Sequence, residues 1–322
     1  MGESASNIDG MRCPCCRSPV APEEFLESFR SFRLHWCNAC DLQFWWPLEL
    51  DRALYDCSER CTVGHLGWGK LYIWHGPFFK RPPTETGNLL DVGCADGAFM
   101  EAARKRGFTV FGLDMDKKSI EAAARKRHLD TVFPMHLNEF AVFAQEKNLR
   151  FNVVSFFEVL EHQDDPRQFL QNVKKLLTPG GSIVGSVPNR NRFIIHKEHW
   201  DYPPGHLLRW SERSLQHFLS IMGFTRIQLN TSFKVKDLIP YVEPQLLGPL
   251  DKALKTFIRR FFYPASREES EISLELLPKL ENRSEALVLW LVRLRMAAFF
   301  IPTLILYPKL KPHIYFQAEG PA

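Results

Sequence analysis

No cysteine follows residue 94, neither charge sign dominates, and the first twelve residues, MGESASNIDGMR, hold no apolar stretch. Each absence excludes something. With 41 basic against 37 acidic residues the formal charge is only +4, too little to indicate a nucleic-acid partner by itself. An N-terminus without an apolar run lacks the pattern of a secretory signal, so the expected location is cytoplasmic, where clustered thiols more often bind metal than form disulfides. At 45% hydrophobic and 24% charged, the 322 residues fit neither a disordered nor a collagen-like chain. That length suits one large domain and a smaller module.

The cysteines that are present are concentrated. Seven of the eight lie in the first 61 residues, and Cys94 stands apart. Cys13 with Cys16 and Cys37 with Cys40 make two C-x2-C pairs separated by twenty residues. This spacing predicts a zinc ribbon over residues 1–50, since each turn presents two thiolates and two turns complete a closed tetrahedral shell. With no open coordination position, the zinc is expected to be structural. Cys15 reads as a spare thiol, Cys57 and Cys61 as buried residues. Phe25, Phe29, Trp36, Phe44 and Trp45 supply the packing that so small a metal module needs. Glu23, Glu24 and Glu27 in the same stretch argue against phosphate contact.

After residues 51–87, read as a linker or helical cap, short apolar runs alternate with amphipathic segments. The predicted strands are Leu89–Cys94, Val110–Met115, Thr131–His136, Phe151–Glu158, Gly181–Pro188 and Phe224–Leu229. Between them fall helices Ala98–Arg106, Lys118–His128, Glu139–Lys147, Pro166–Leu177 and Glu212–Met222. The alternation predicts an α/β fold over residues 88–230, a Rossmann-like, doubly wound and mostly parallel sheet.

The first of these strands ends in LLDVGCADG, which places Asp91, Gly93, Ala95 and Gly97 at a glycine-rich turn opening a helix. The spacing is not the G-x-G-x-x-G of a dinucleotide site, and an acid at Asp91 would repel a pyrophosphate. It suits an ammonium or sulfonium ligand instead. Asp114, closing the second strand, is placed to accept both hydroxyls of an adenosine ribose.

Together with FNVVSFFEVLEHQDDP and LLTPGGSIVGSVPN, these residues resemble the class I S-adenosylmethionine-dependent methyltransferases through most of Leu89–Leu229. The resemblance implies that Asp91, Gly93, Cys94, Ala95 and Gly97 cradle the methionine part of the cofactor. It also implies that Asp114, with Met115 beside it, holds the ribose, and that Asn138 reads the adenine. By the same resemblance, Phe157 and Glu158 are expected to line the methyl-transfer site. Ala95 stands where the family commonly has glycine, and Cys94 reads as a small buried residue beside the cofactor. The family also implies a last, antiparallel strand, for which His313–Gln317 in segment 313–322 is the candidate, after a helical insertion at 231–312.

Methyl transfer to an oxygen or nitrogen often requires a base, and histidine suits that role near neutral pH. His162 is the first candidate, with His206 and His199 on the long loop after the fifth strand. Basic residues Lys252, Lys255, Arg259 and Arg260 alternate with apolar ones, so residues 251–307 are read as helices over the site or as a peripheral membrane contact. The expected acceptor is a small molecule, a sugar or a lipid-linked compound, with nucleic acid disfavoured. The competing readings are an RNA methyltransferase gripping its substrate through the ribbon and a non-catalytic cofactor-binding scaffold.

Overall fold

The computed structural model describes residues 11–49, 71–193, 201–234, 238, 303–307 and 310–321. His199, Cys57, Cys61 and the basic segment 251–302 lie outside them. The chain divides into two units, one of Met1–Arg192, Glu198–Thr231 and Pro312–Ala322, the other of Phe193–Lys197 and Ser232–Lys311. The strands and helices named here belong to the first.

The N-terminal module is a three-strand antiparallel meander, β1 (Glu27–Phe29), β2 (Phe32–Trp36) and β3 (Gln43–Trp46). Leu34 and Trp45 face each other across the β2–β3 pair and are buried, as alternation in a half-buried sheet requires. A single helical turn, Ile73–His75, then leads into helix α1 (Gly76–Lys80), whose Phe78 is buried against Phe99 and Phe108.

The central sheet begins with β4 (Gly87–Val92), followed by α2 (Ala98–Arg104), β5 (Phe108–Leu113), α3 (Lys117–Arg127), β6 (Val132–Phe133), α4 (Leu137–Glu146) and β7 (Phe151–Phe157). Helix α5 (Pro166–Leu176) runs directly into β8 (Leu177–Pro188). The short β9 (Leu208–Arg209) precedes α6 (Glu212–Ile221), β10 (Thr225–Asn230) and β11 (His313–Glu319). Seven strands lie in the order β10-β11-β8-β7-β4-β5-β6. Those from β8 to β6 are parallel, while β11 runs antiparallel to both β8 and β10. This is the doubly wound sheet expected from the alternation.

Local chemistry sets the boundaries. Asp165 accepts from the Gln168 N–H and Pro166 follows it, so α5 starts there; Asp116 caps α3 and Ser211 caps α6 in the same way. Phe169, Leu170, Val173 and Leu176 form one buried face of α5. The predicted third strand, 131–136, shrinks to two residues at the sheet edge because His136 and Glu139 form a capping box that starts α4 at Leu137. β8 begins four residues earlier than predicted, since its early residues continue the pairing with the strand beside it: Leu177 is already aligned with Phe151. The HIYFQ segment becomes the inserted antiparallel strand.

Candidate functional site

β4 and β5 end side by side, and the turn after β4 is packed against the end of β5. The N–H groups of Gly93 and Cys94 both donate to the Leu113 carbonyl. Gly93 has φ +77°, and a Cβ there would lie 2.6 Å from Val159 Cγ2, so only glycine fits between this turn and the exit of β7. Along the turn Gly93 and Ala95 face outward while Cys94 and Asp96 are buried. Burial pushes the Cys94 thiol well above its usual range, leaving a neutral, unreactive side chain. Asp114 lies just past β5 and accepts from the Ala95 N–H at 2.8 Å and the Asp116 N–H at 2.9 Å. Asp91 is buried under the turn, and its carboxylate accepts from Ser155 Oγ at 2.7 Å. Burial pushes Asp91 up to about 7, the hydrogen bond from Ser155 opposing and the Asp114 charge adding to the shift. On the far side Arg127 clamps the turn, donating to the Asp96 carbonyl at 2.7 Å and its carboxylate at 2.9 Å.

Three carboxylates and three histidines gather beyond the ends of β7 and β8. Glu158, immediately after β7, accepts from Ser186 Oγ at 2.6 Å and pairs with His313 Nδ1 at 3.1 Å. Burial acts to raise its carboxyl, but His313 and Ser186 outweigh it and hold Glu158 below its ordinary range. Glu161 is buried, and among the described residues neither of its oxygens meets a hydrogen-bond donor. Burial, reinforced by the Glu158 charge, pushes it well above the usual carboxylate range. Two imidazoles face it, His162 Nε2 at 3.8 Å and His206 Nε2 at 4.0 Å. His162 Nδ1 lies 2.9 Å from the Gly205 carbonyl and must carry the hydrogen there, while His206 Nδ1 pairs with Asp201 at 3.3 Å. Burial and the His206 charge lower His162 to about 4, so it is neutral at physiological pH. Asp201 also pairs with Arg192, and His206 and Arg192 hold it below its usual range against the effect of burial.

Glu161, His162 and His206 offer one ligand atom each, all within 4.8 Å of one another. A carboxylate without a hydrogen-bond donor among the described residues beside two imidazole nitrogens fits a divalent cation of the transition series better than magnesium or calcium, which prefer all-oxygen shells. Such a cation would bind an oxygen ligand and lower its pKa.

The second cluster is the four-cysteine set. Cys13 and Cys40 Sγ are 3.5 Å apart, as are those of Cys16 and Cys37, and all four lie within 4.8 Å. Sulfurs on a tetrahedral zinc at ~2.3 Å stand ~3.8 Å apart, so the set fits the ion. Cys15 falls outside it, and burial pushes its thiol well up. The module is fastened to the histidine loop. β9 extends the ribbon sheet along β3, Asp41 receives Arg190 at 2.8 Å on both oxygens and Ser211 Oγ at 2.5 Å, and Glu27 accepts from Tyr202 at 2.9 Å.

Residues 76–229 match a family described as a methyltransferase domain. Over 151 residues the chain is 32% identical to ubiquinone biosynthesis O-methyltransferase of Paracidovorax citrulli, covering 46% of this chain and 58% of that protein. Residues 76–229 form a methyltransferase domain. A ubiquinone biosynthesis O-methyltransferase of Proteus mirabilis is 39% identical over 106 residues, 32% of this chain and 43% of that protein. The chain thus spans about half the length of these methyltransferase relatives. In structure, Haemonchus contortus phosphoethanolamine N-methyltransferase 2, solved with phosphomonomethylethanolamine and S-adenosylhomocysteine, aligns with 93% of this chain and 71% of its own at TM-score 0.51 and 15% identity. That likeness concerns the fold.

Within this methyltransferase domain the sequence-derived residues fall into separate groups. Asp91, Gly93, Cys94, Ala95, Gly97, Asp114 and Met115 surround the β4–β5 ends, with Phe157 reaching them through its ring contact with Phe99 at 4.8 Å. Asn138 sits exposed in the first turn of α4, the helix having begun earlier than expected. His162 and His206 come together, their rings 4.9 Å apart. Three residues escaped the sequence reading: Glu161, whose lack of a hydrogen-bond donor is visible only in the fold, Asp201, and His313. The EVLEH string contained the first; nothing local marked His313.

Proposed function

We propose that the chain binds S-adenosylmethionine at the turn Asp91–Gly97 with Asp114, and transfers its methyl group to an oxygen of a small, lipid-like acceptor. The carrying observation is the joined pair of loops: Asp114 bound to the Ala95 N–H at 2.8 Å, with Asp91 buried just beneath. The cofactor supplies a methyl on a positively charged sulfur, open to in-line displacement. Asp91 offers negative charge to its cationic end, and Asp114 offers carboxylate oxygens to ribose hydroxyls. Glu161, His162 and His206 would hold a divalent cation near the acceptor, and the four ribbon thiolates would hold structural zinc. The names of the relatives support oxygen as the nucleophile and a small lipid-like acceptor over RNA.

Calorimetric titration with S-adenosylmethionine tests the core of this reading. Wild type should bind, and Asp114→Ala should lose tenfold or more in affinity, about the value of one hydrogen bond to a charged group. Equal binding by both proteins sinks the assignment of the ribose acid, and no binding by wild type sinks the function.

A further inference from the structure

The last strand brings a histidine to the same end of the sheet as the cofactor turn. His313 opens β11 and is aligned with Pro188, the last residue of β8, so it stands where the parallel strands stop. Its Nδ1 is 3.1 Å from Glu158 Oε2, and the second Glu158 oxygen is held by Ser186. Glu158 has φ +54°, a left-handed conformation uncommon outside glycine that recurs at functional sites. The next residue, Val159, is the one that would touch a side chain at Gly93, which puts Glu158 beside the cofactor turn. On the other side the Trp74 ring lies 4.4 Å from the His313 ring, and Tyr72 stacks on Trp74 at 4.5 Å with the planes 5° apart. His75 packs on Phe157 at 4.6 Å, fixing this aromatic wall to the end of β7.

We propose that His313, oriented by Glu158 and faced by Trp74, is the base that takes the proton from the methyl-accepting hydroxyl. This rests on the methyl-transfer reading above. The Glu158 contact places the imidazole hydrogen on Nδ1 and leaves Nε2 as the accepting nitrogen. The acceptor O–H bond breaks and its proton passes to Nε2; the oxygen pair forms the bond to carbon, and the C–S bonding pair returns to sulfur. Glu158 carries the charge opposite the imidazolium and positions the ring. The titratable groups around His313 are Glu158 after β7, Tyr72 and His75 on the 73–75 turn, Tyr315 on its own strand, and His206, whose charge also reaches Glu158.

The test supplies methyl-tritiated S-adenosylmethionine and the pooled small molecules of a cell extract to wild type, His313→Gln and Glu158→Gln, with calorimetry of cofactor binding in parallel. His313→Gln should bind the cofactor within threefold of wild type yet transfer label roughly a hundredfold more slowly, the scale of a lost general base. Removing the Glu158 charge destabilises the imidazolium, so in Glu158→Gln the rising limb of the pH–rate profile should move to lower pH. If the pair merely ties the last strand to the sheet, that limb stays in place and both variants lose rate only as they lose thermal stability. Transfer by His313→Gln at the wild-type rate overturns the proposal and leaves the methyl-transfer reading intact. A wild type that binds cofactor and labels nothing overturns both.

Discussion

At Asp91 a single burial has two consequences. Because its carboxyl is pushed up to about 7 by burial, the free protein holds it protonated below neutrality, and a cationic ligand that prefers the carboxylate must displace that proton. For folding the sign is the reverse: a raised acid contributes stability below the unfolded value that is lost as pH rises through the folded one. Affinity for S-adenosylmethionine is therefore expected to rise several-fold between about pH 5.5 and 7 and then level off, and Asp91→Asn should flatten the curve. A flat profile in wild type contradicts this. At Ala95 the backbone has φ +46°, the reason glycine is common at this position, and a left-handed L-residue costs about 1 kcal/mol or more. Ala95→Gly should raise unfolding stability by about 0.5–1 kcal/mol in urea titration without weakening cofactor binding. Glu161 is a third kind of case, a buried carboxyl whose oxygens have no donor among the described residues. With a chelator present, Glu161→Met should stabilise the fold by about 1–3 kcal/mol, the cost of an unsatisfied buried group, and should abolish saturable Mn²⁺ binding. Mn²⁺ titration by paramagnetic relaxation, with thermal melts alongside, reads both.

Among the elements, the ribbon matters through a strand of two residues. β9 pairs with β3 at Gln43↔Arg209 and Phe44↔Leu208, and the Trp45 N–H donates to Leu207 at 2.9 Å. The loop carrying Asp201 and His206 is thus tied to a sheet whose stability, on the zinc proposed above, would depend on the four thiols, since so small a module has little core. Treatment with a thiol-reactive mercurial and a chelator, which would strip the zinc proposed for the four thiols, should speed hydrogen exchange of the Trp45 and Arg209 amides far more than those of β4 and β7. Uniform acceleration across both sheets would falsify the division of labour. None of this was readable in the sequence, because two paired residues produce no periodicity and GHLLRW reads as loop. The thiols, the helices starting near Lys118, Pro166 and Glu212, and the apolar runs of β4, β5 and β7 were readable, since each depends on neighbours within a few residues.

In the whole molecule, the last strand decides closure. β11 enters between β8 and β10 some eighty residues after β10, and the family resemblance pointed to a strand there; its pairing with Glu158 across 155 positions of chain did not show, because register between distant strands leaves no local trace. Phe316 is the residue through which β11 joins the core. It is fully buried, lies 5.2 Å from the Phe156 ring, and fills the space over Gly185, where a Cβ would come within 2.5 Å of its Cζ. Removing its ring leaves a cavity between the two central strands that the neighbouring backbone cannot close. Phe316→Ala should therefore cost about 3–5 kcal/mol in denaturant unfolding, comparable to the whole stability of a modest domain. Gly185→Ala should be destabilising for the opposite reason, because the added methyl would lie 2.3 Å from the Phe156 carbonyl oxygen and 2.5 Å from the Phe316 ring. In the double variant the ring clash is gone while the clash with the Phe156 carbonyl remains, so the combined loss should fall below the sum of the single losses only by the ring's share. Strict additivity would mean that β11 does not pack on β8 through this pair.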